Sequence, residues 1–407
     1  MRKVILVITL ASAILMVSTC AKREEGRCRL RYRAVNTSES TIYFACQDQM
    51  RISERPAQLK DLPKGVSRAI SYFLAKIGDR DIPLIIEGSK KFKLYLDTDG
   101  DGSLSDERGF AASTVKKRRF GPVDYYRFGP ISLEFGQAER KLAKRIYVIT
   151  RGTNIEQLCF CPADYRKGKV RLGEYIYSVA VVDGNFDGKY GKIFSPPIKN
   201  IFRPGCDSFA IDLNRDGRLD WALYERSELT PLSRMIKIED TYYSIDVATN
   251  GTALELKKVE PEFGILDLGG ADVKMKLWSD AAEQNIIGSE ENRRFPAGKY
   301  KTIFLELNQK DSSGNRWTLT SSRAGKLEDF EIRPGRKSSF KIGPPFQIKT
   351  TARRTSNDIL IGLNLEGQAG EQYGADVGRN GIRVSPPVFK IIDESGNVVD
   401  TGRFKYG

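Results

Sequence analysis

The chain is written in short β-forming runs, and that pattern restricts its fold more than any other property. Stretches such as "STIYFAC", "IPLIIEG", "FKLYLD", "IYVIT", "YSVAVVD", "FAID", "KTIFLELN", "ILIGLNL" and "VFKIID" alternate with clusters of Gly, Asn, Asp and Pro. β-Branched and aromatic side chains suit a pleated, half-buried surface, and the punctuating residues make turns. Helical signals are few: Gln137–Lys144 in "GQAERKLAKRIYV" and the stretch around Asp280 in "SDAAEQNII". "IIDESGNVVDTGRF" reads as a hairpin turning at Glu394-Ser395-Gly396-Asn397. The pattern predicts a mainly β protein of several β-sandwich or barrel-like units. A break at "VEPEFGILDLGGADVK" divides a β-rich region, 51–260, from a C-terminal β-sandwich, 261–407. Trp221, Trp278 and Trp317 read as core residues of such sandwiches.

The N-terminus has a different character. Arg2 and Lys3 precede the apolar run Val4 to Val17, followed by Ser18-Thr19-Cys20, the order of a secretory signal over 1–19. The run is too short to span a bilayer comfortably. "MVSTC" resembles a bacterial lipobox, whose cysteine is diacylated and begins the mature chain. The resemblance implies lipidation at Cys20, a lipid-anchored segment over 20–50, and a place in the bacterial cell envelope. Ordinary cleavage to a secreted or periplasmic protein is the alternative.

Export bears on the cysteines, of which there are six. If Cys20 carries lipid, Cys28, Cys46, Cys159, Cys161 and Cys206 remain as disulfide candidates in an oxidising compartment. Cys28 with Cys46 is the local pairing, and Cys206 can bridge to either Cys159 or Cys161. "LCFCP" puts two thiols on one face of a strand, because side chains i and i+2 point the same way. A sulfur-ligated metal site built from these two and Cys206 is a competing reading without a second ligand cluster.

Histidine is absent. That removes Ser-His-Asp and Cys-His catalysis and leaves only oxygen and sulfur as metal ligands. No GxSxG, GxGxxG or phosphate loop appears, so the chain does not read as an enzyme. A carbohydrate-active, peptidase-like or other hydrolase with structural calcium is the alternative, since paired-carboxylate glycoside chemistry needs no histidine. The formal charge of +14 is spread over clusters at Lys116–Arg119, Arg140–Arg145 and Arg353-Arg354. With no aromatic-interleaved basic groove, these read as solvated faces and no nucleic-acid partner is expected.

Three acidic loops carry the clearest chemistry. "DTDGDGSL" places Asp97, Asp99 and Asp101 at positions 1, 3 and 5. "DGNFDGKY" places Asp183, Asn185 and Asp187 there, and "DLNRDGRLD" places Asp212, Asn214 and Asp216, with Asp220 at position 9. Glycine stands at position 6 of each, and an apolar residue (Leu104, Tyr190, Leu219) at position 8. Oxygens at 1, 3 and 5 converge when the chain wraps a hard cation. Position 7 (Ser103, Lys189, Arg218) then supplies a backbone carbonyl, and the residue at 8 anchors the loop in the core. The same Asp, Asn and Gly residues also make metal-free turns.

These loops resemble the DxDxDG calcium loops of EF-hands, dockerin modules and thrombospondin type 3 repeats. The third also looks like the FG-GAP loop of integrin-type β-propellers, which implies a partial propeller as an alternative fold. The resemblance implies Ca²⁺ as a structural cofactor. Position 12, the bidentate Glu of an EF-hand, holds Arg108, Phe194 and Leu223, and the entering segments are strand-like, so helix–loop–helix units are not expected. In loop one, Ser105, Asp106 or Glu107 can complete the shell; in loop two, side-chain ligands stop at three. "FPAGKY" resembles the corner of immunoglobulin-like or prealbumin-like sandwiches, which implies that fold for the C-terminal part. The layout over roughly 59–256 resembles bacterial envelope lipoproteins with scattered EF-hand-like loops. The expectation is an exported, lipid-anchored protein whose Ca²⁺ loops stiffen β-domains in a structural, adhesive or ligand-binding role. Its expected partners are the membrane and an envelope polysaccharide or protein. A metal-free structural protein is the second alternative.

Overall fold

A computed structural model describes residues 25–35, 47–66, 69–77, 80–88, 91–116, 124–135, 142–151, 155–198, 204–220, 228–354 and 359–404. The proposed signal, Cys20, Cys46 and Trp221 lie outside them. The described chain is mainly β, as the run pattern predicts, with antiparallel pairing between strands except Phe263–Asp267 with Lys337–Ser339, and with one isolated parallel bridge between Asp61 and Ser103. Among the described residues none of the sheets closes into a barrel, so the sandwich half of the expectation holds and the barrel-like half does not. No helix of the described residues is long and apolar enough to cross a membrane.

Successive face-to-face layers make up the architecture. First, a four-stranded sheet (Ile70–Ile77, Arg80–Glu87, Lys93–Leu96, Phe110–Ala111) shares a core with a five-stranded sheet running from Gln47–Met50 to Ser113–Lys116. Period-two alternation decides what each strand buries: Ile82, Leu84 and Ile86 enter this core. Ile85 turns to a smaller cluster with Leu59, Tyr95 and Leu104.

The second pair is a five-stranded sheet, ordered Leu229–Pro231, Ser208–Ile211, Tyr175–Val182, Asp164–Leu172, Arg31–Ala34. It packs on a four-stranded sheet ordered Arg27–Arg29, Ala253–Val259, Thr241–Val247, Met235–Ile238. In "YSVAVV", Val179 and Val181 point into the core between these sheets, while Ala180 and Val182 point into another core behind. An uninterrupted apolar run is what a strand covered on both faces requires. Each fully buried side chain of this size contributes roughly 1.5–3 kcal/mol.

The C-terminal part packs a long sheet, from Gln284–Gly288 to Gln347–Arg354, on the short sheet Arg293–Pro296, Phe263–Asp267, Lys337–Ser339. Its corner "FPAGKY" is held by the fully buried Tyr300, whose hydroxyl donates to the Pro296 carbonyl at 2.6 Å. Burial raises that hydroxyl's pKa far above the usual tyrosine value, so it stays a donor at any working pH. Tyr300→Phe leaves the carbonyl unpaired and is expected to cost about 1–2 kcal/mol in urea unfolding. A loss under roughly 0.3 kcal/mol would show that the bond adds nothing to the corner.

Both helical expectations fail. Leu142–Arg151 is a strand, which takes the end of the expected helix; the rest of that stretch lies outside the described residues. Around Asp280 the backbone is spoken for: the carbonyls of Ser279, Asp280 and Ala281 accept from Ser233 Oγ (2.6 Å) and the Arg234 and Met235 amides (2.8 Å each). The Asp280 carboxylate accepts the Lys299 amide at 2.8 Å. A helix would forfeit this seam, so tertiary bonding overrides a modest local propensity. Trp278 extends the seam into the core behind the second sandwich, meeting Phe194 edge-to-face at 6.0 Å. Trp317 is only half-buried.

Cys161 and Cys206 are buried, and Cys28 and Cys159 partly so. Cys159 and Cys161 face the same way, with Sγ atoms 3.8 Å apart. Cys206 belongs to the same apolar cluster as Cys161, yet is a free thiol, so the expected Cys206 bridge is not formed. Burial, reinforced by Asp207, raises its pKa well above the ordinary thiol value.

Candidate metal centres

The three acidic loops fold alike. In each, position 1 is buried and its Oδ2 accepts the amide of the glycine at position 6: Asp97 from Gly102 at 3.0 Å, Asp183 from Gly188 and Asp212 from Gly217 at 2.9 Å. Position 5 accepts the amide of position 7: Asp101 from Ser103 at 2.6 Å, Asp187 from Lys189 and Asp216 from Arg218 at 2.8 Å. Positions 4 and 6 have positive φ in every loop: Gly100 and Gly102, Phe186 and Gly188, Arg215 and Gly217. Only glycine takes that conformation without strain, which explains position 6. Phe186, at φ 57°, and Arg215, at φ 60°, are held against that preference by their contacts. Phe186 is buried in the first sandwich core, and the Arg215 guanidinium lies 4.0 Å from the centroid of the Tyr175 ring.

The apolar residues at position 8 do turn inward. Leu104, Tyr190 and Leu219 join three separate apolar clusters. Each loop is therefore pinned at its start by a strand and at its end by a core contact, but among the described residues three acidic side chains converge in loop one alone. In loop one, Asp97, Asp99 and Asp101 bring carboxylate oxygens within 4.8 Å of one another. In loops two and three an Asn replaces the middle Asp. Asn185 is buried, whereas Asn214 and Asp216 are exposed.

A further carboxylate grips each loop at the amide of position 2. Glu107 accepts from the Thr98 amide and, with its two oxygens, from the Thr98 hydroxyl at 2.9 and 2.8 Å. Asp207 accepts from Gly184 at 3.2 Å, and also from the Gly191 and Lys192 amides at 2.7 and 2.9 Å. Glu228 accepts from Leu213 at 3.1 Å and from the Asp220 amide at 3.0 Å. Glu107 was within sequence reach, being position 11 of its own loop. Asp207 and Glu228 were not, because only pairing brings them there. The register Val182 to Ser208 sets Asp207 beside Asp183 across two neighbouring strands. Loop two, where the sequence offers side-chain ligands at three positions and only two acids, thus has a buried third acid beside it.

Electrostatics agree with an acidic site short of positive charge. Burial raises the pKa of Asp97, opposed by hydrogen bonds from Gly100 and Gly102 and reinforced by Asp99 and Asp101. Burial likewise raises Glu107 and Glu228, and Asp212 adds to the rise at Glu228. One more atom stands out: Asp212 is buried, and its Oδ1 has no hydrogen-bond partner. Leaving a carboxylate oxygen dry and unpaired is costly, a cost that a cation at the loop centre would relieve. The donors are all oxygen, the set that suits a hard cation. Among the described residues, the three thiols do not join into a comparable group of three ligands.

A search of protein-family models, curated proteins and solved structures finds no match to this chain.

Proposed function

We propose that the chain is an exported, lipid-anchored envelope protein whose three acidic loops take up Ca²⁺ as a structural cofactor. One observation carries the reading: three loops at different places in the chain share one backbone path, one hydrogen-bond scheme and one gripping carboxylate. Turn formation alone needs neither the buried first carboxylate nor the added acid. Asp97, Asp99 and Asp101, with the Ser103 carbonyl, would hold the first ion. Asp183, Asn185, Asp187 and the Lys189 carbonyl would hold the second. Asp212, Asn214, Asp216, the Arg218 carbonyl and Asp220 would hold the third. The ions neutralise acids that otherwise repel one another, and so stiffen the first two sandwiches as a support for adhesion or ligand capture.

Calorimetric titration of the chain lacking residues 1–19 tests this, with affinities on the order of 10⁻⁴–10⁻³ M expected. Asp212→Asn should remove one site and leave the others. Absence of heat would overturn the reading. Mass spectrometry of the native N-terminus tests the anchor at Cys20.

The pH dependence has a definite sign. Asp97, Glu107 and Glu228 have raised pKa values, so without metal the folded chain holds protons that the unfolded chain has released. Their contribution to metal-free stability therefore falls as pH rises through that window. Ca²⁺ must displace those protons, so its stabilising effect is full above the raised pKa values and is lost as pH falls through them. The rise in melting temperature caused by Ca²⁺ should be greatest near neutral pH and shrink steadily on acidification. A rise that is independent of pH would count against ligation by these carboxylates.

A further inference from the structure

A second feature owes nothing to the acidic loops. Residues 27–33 read "RCRLRYR", an arginine at every second position. The segment joins the two sheets of the second sandwich: Arg27–Arg29 pairs with Ala253–Val259 in one, and Arg31–Ala34 with Asp164–Leu172 in the other. Leu30 enters the core between them, so alternation turns all four arginines outward. Lys167 and Lys169, also two residues apart, lie beside this row. Gly168 lets the strands approach closely, since a Cβ there would lie 2.7 Å from the Arg29 carbonyl oxygen and 3.1 Å from Cys28 Sγ.

The row borders a groove of about 1000 Å³. Arg27 is engaged by Glu255, which also binds Lys257 at 2.8 Å. Arg29, Arg31, Arg33, Lys167 and Lys169 have no ion-pair partner among the described residues, and the other acid on the groove is Asp246. A fold that aligns five cations against one acid pays in self-repulsion, which a polyanion relieves.

The arrangement also selects the shape of the ligand. Alternate strand residues lie about 6.6 Å apart, so the guanidinium groups form a line of charges and not a focus on one small anion. The line runs along a groove, which a bilayer surface cannot enter. Tyr32 alternates to the opposite side, so no stacking platform for nucleotide bases faces the ligand. Guanidinium groups bind carboxylates in bidentate fashion. We infer that this groove binds a linear anionic polysaccharide, its carboxylates paired with the arginine row.

Fluorescence anisotropy with a labelled decamer of galacturonic acid tests this, on the chain lacking residues 1–19. The decamer should bind, with affinity falling as salt rises. Arg31→Ser/Arg33→Ser should weaken it at least tenfold, whereas Arg353→Ser/Arg354→Ser, a distant exposed pair, should change it less than twofold. Melting curves of both variants check that folding is kept. Chelator should leave binding in place, so failure here is separable from failure of the Ca²⁺ proposal. No binding, equal loss in both variants, equal affinity for monomeric galacturonate, or tighter binding to single-stranded DNA or phosphatidylglycerol vesicles would each overturn the inference.

Discussion

Moving the chain from chelator into about 5 mM Ca²⁺ at neutral pH is expected to raise its melting temperature by roughly 15 °C. A site with a dissociation constant near 10⁻⁴ M contributes about 2 kcal/mol at that concentration, and three sites about 6 kcal/mol. For a β-unit of this size, each kcal/mol shifts the midpoint by about 2–4 °C. Loops one to three sit at strand ends of the first two sandwiches, so binding acts on backbone that already carries the sheet pairing. Mg²⁺ at equal concentration should give less than a third of the shift, because it demands octahedral geometry and keeps its waters. Scanning calorimetry in chelator, Mg²⁺ and Ca²⁺ reads all three. A midpoint that stays put in Ca²⁺ would sink the cation reading.

Asp207→Ala is expected to be the most damaging single substitution in the second sandwich, at about 4–5 kcal/mol in urea unfolding with Ca²⁺ present. Asp207 is fully buried and accepts the Gly184, Gly191 and Lys192 amides, so alanine strands the buried Gly184 donor and unpairs two part-buried ones. Asn keeps one acceptor oxygen and should cost about half as much. The loss should shrink in chelator. There, removing Asp207 also relieves the repulsion between two buried acids on paired strands, which a cation otherwise screens. A loss below about 1 kcal/mol in Ca²⁺ would mean that solvent reaches these amides and that the loop is not built around this residue.

The legible part of this molecule is the part written locally. Strand runs such as "YSVAVV", the glycines at position 6 and the inward residues at position 8 depend on neighbours in sequence, and they stand where local rules put them. Asp207 and Glu228 depend on strand pairing, and nothing near them in sequence says which loop they will hold. Phe186 reads as an ordinary loop residue, because a bulky side chain at positive φ is disfavoured until a distant core supplies its contacts. The arginine row escapes notice because alternate spacing never makes a consecutive basic cluster. "SDAAEQNII" misleads for the opposite reason: its local helical preference yields to a seam with residues 233–235.

Loop two has a consequence for how the molecule comes apart. Its aromatic side chains at positions 4, 8 and 12 belong to three different cores: Phe186 to the first sandwich, Tyr190 to the interior of the second, Phe194 to the cluster behind it. Cores joined only by a linker melt separately. Here one short turn is a shared cornerstone, and no core can loosen fully without withdrawing an aromatic ring from the turn that the others also use. The first two sandwiches are therefore bound into a single cooperative transition. The turn itself can close only after segments far apart in sequence have found one another, which makes it a late step in folding and an early casualty of unfolding.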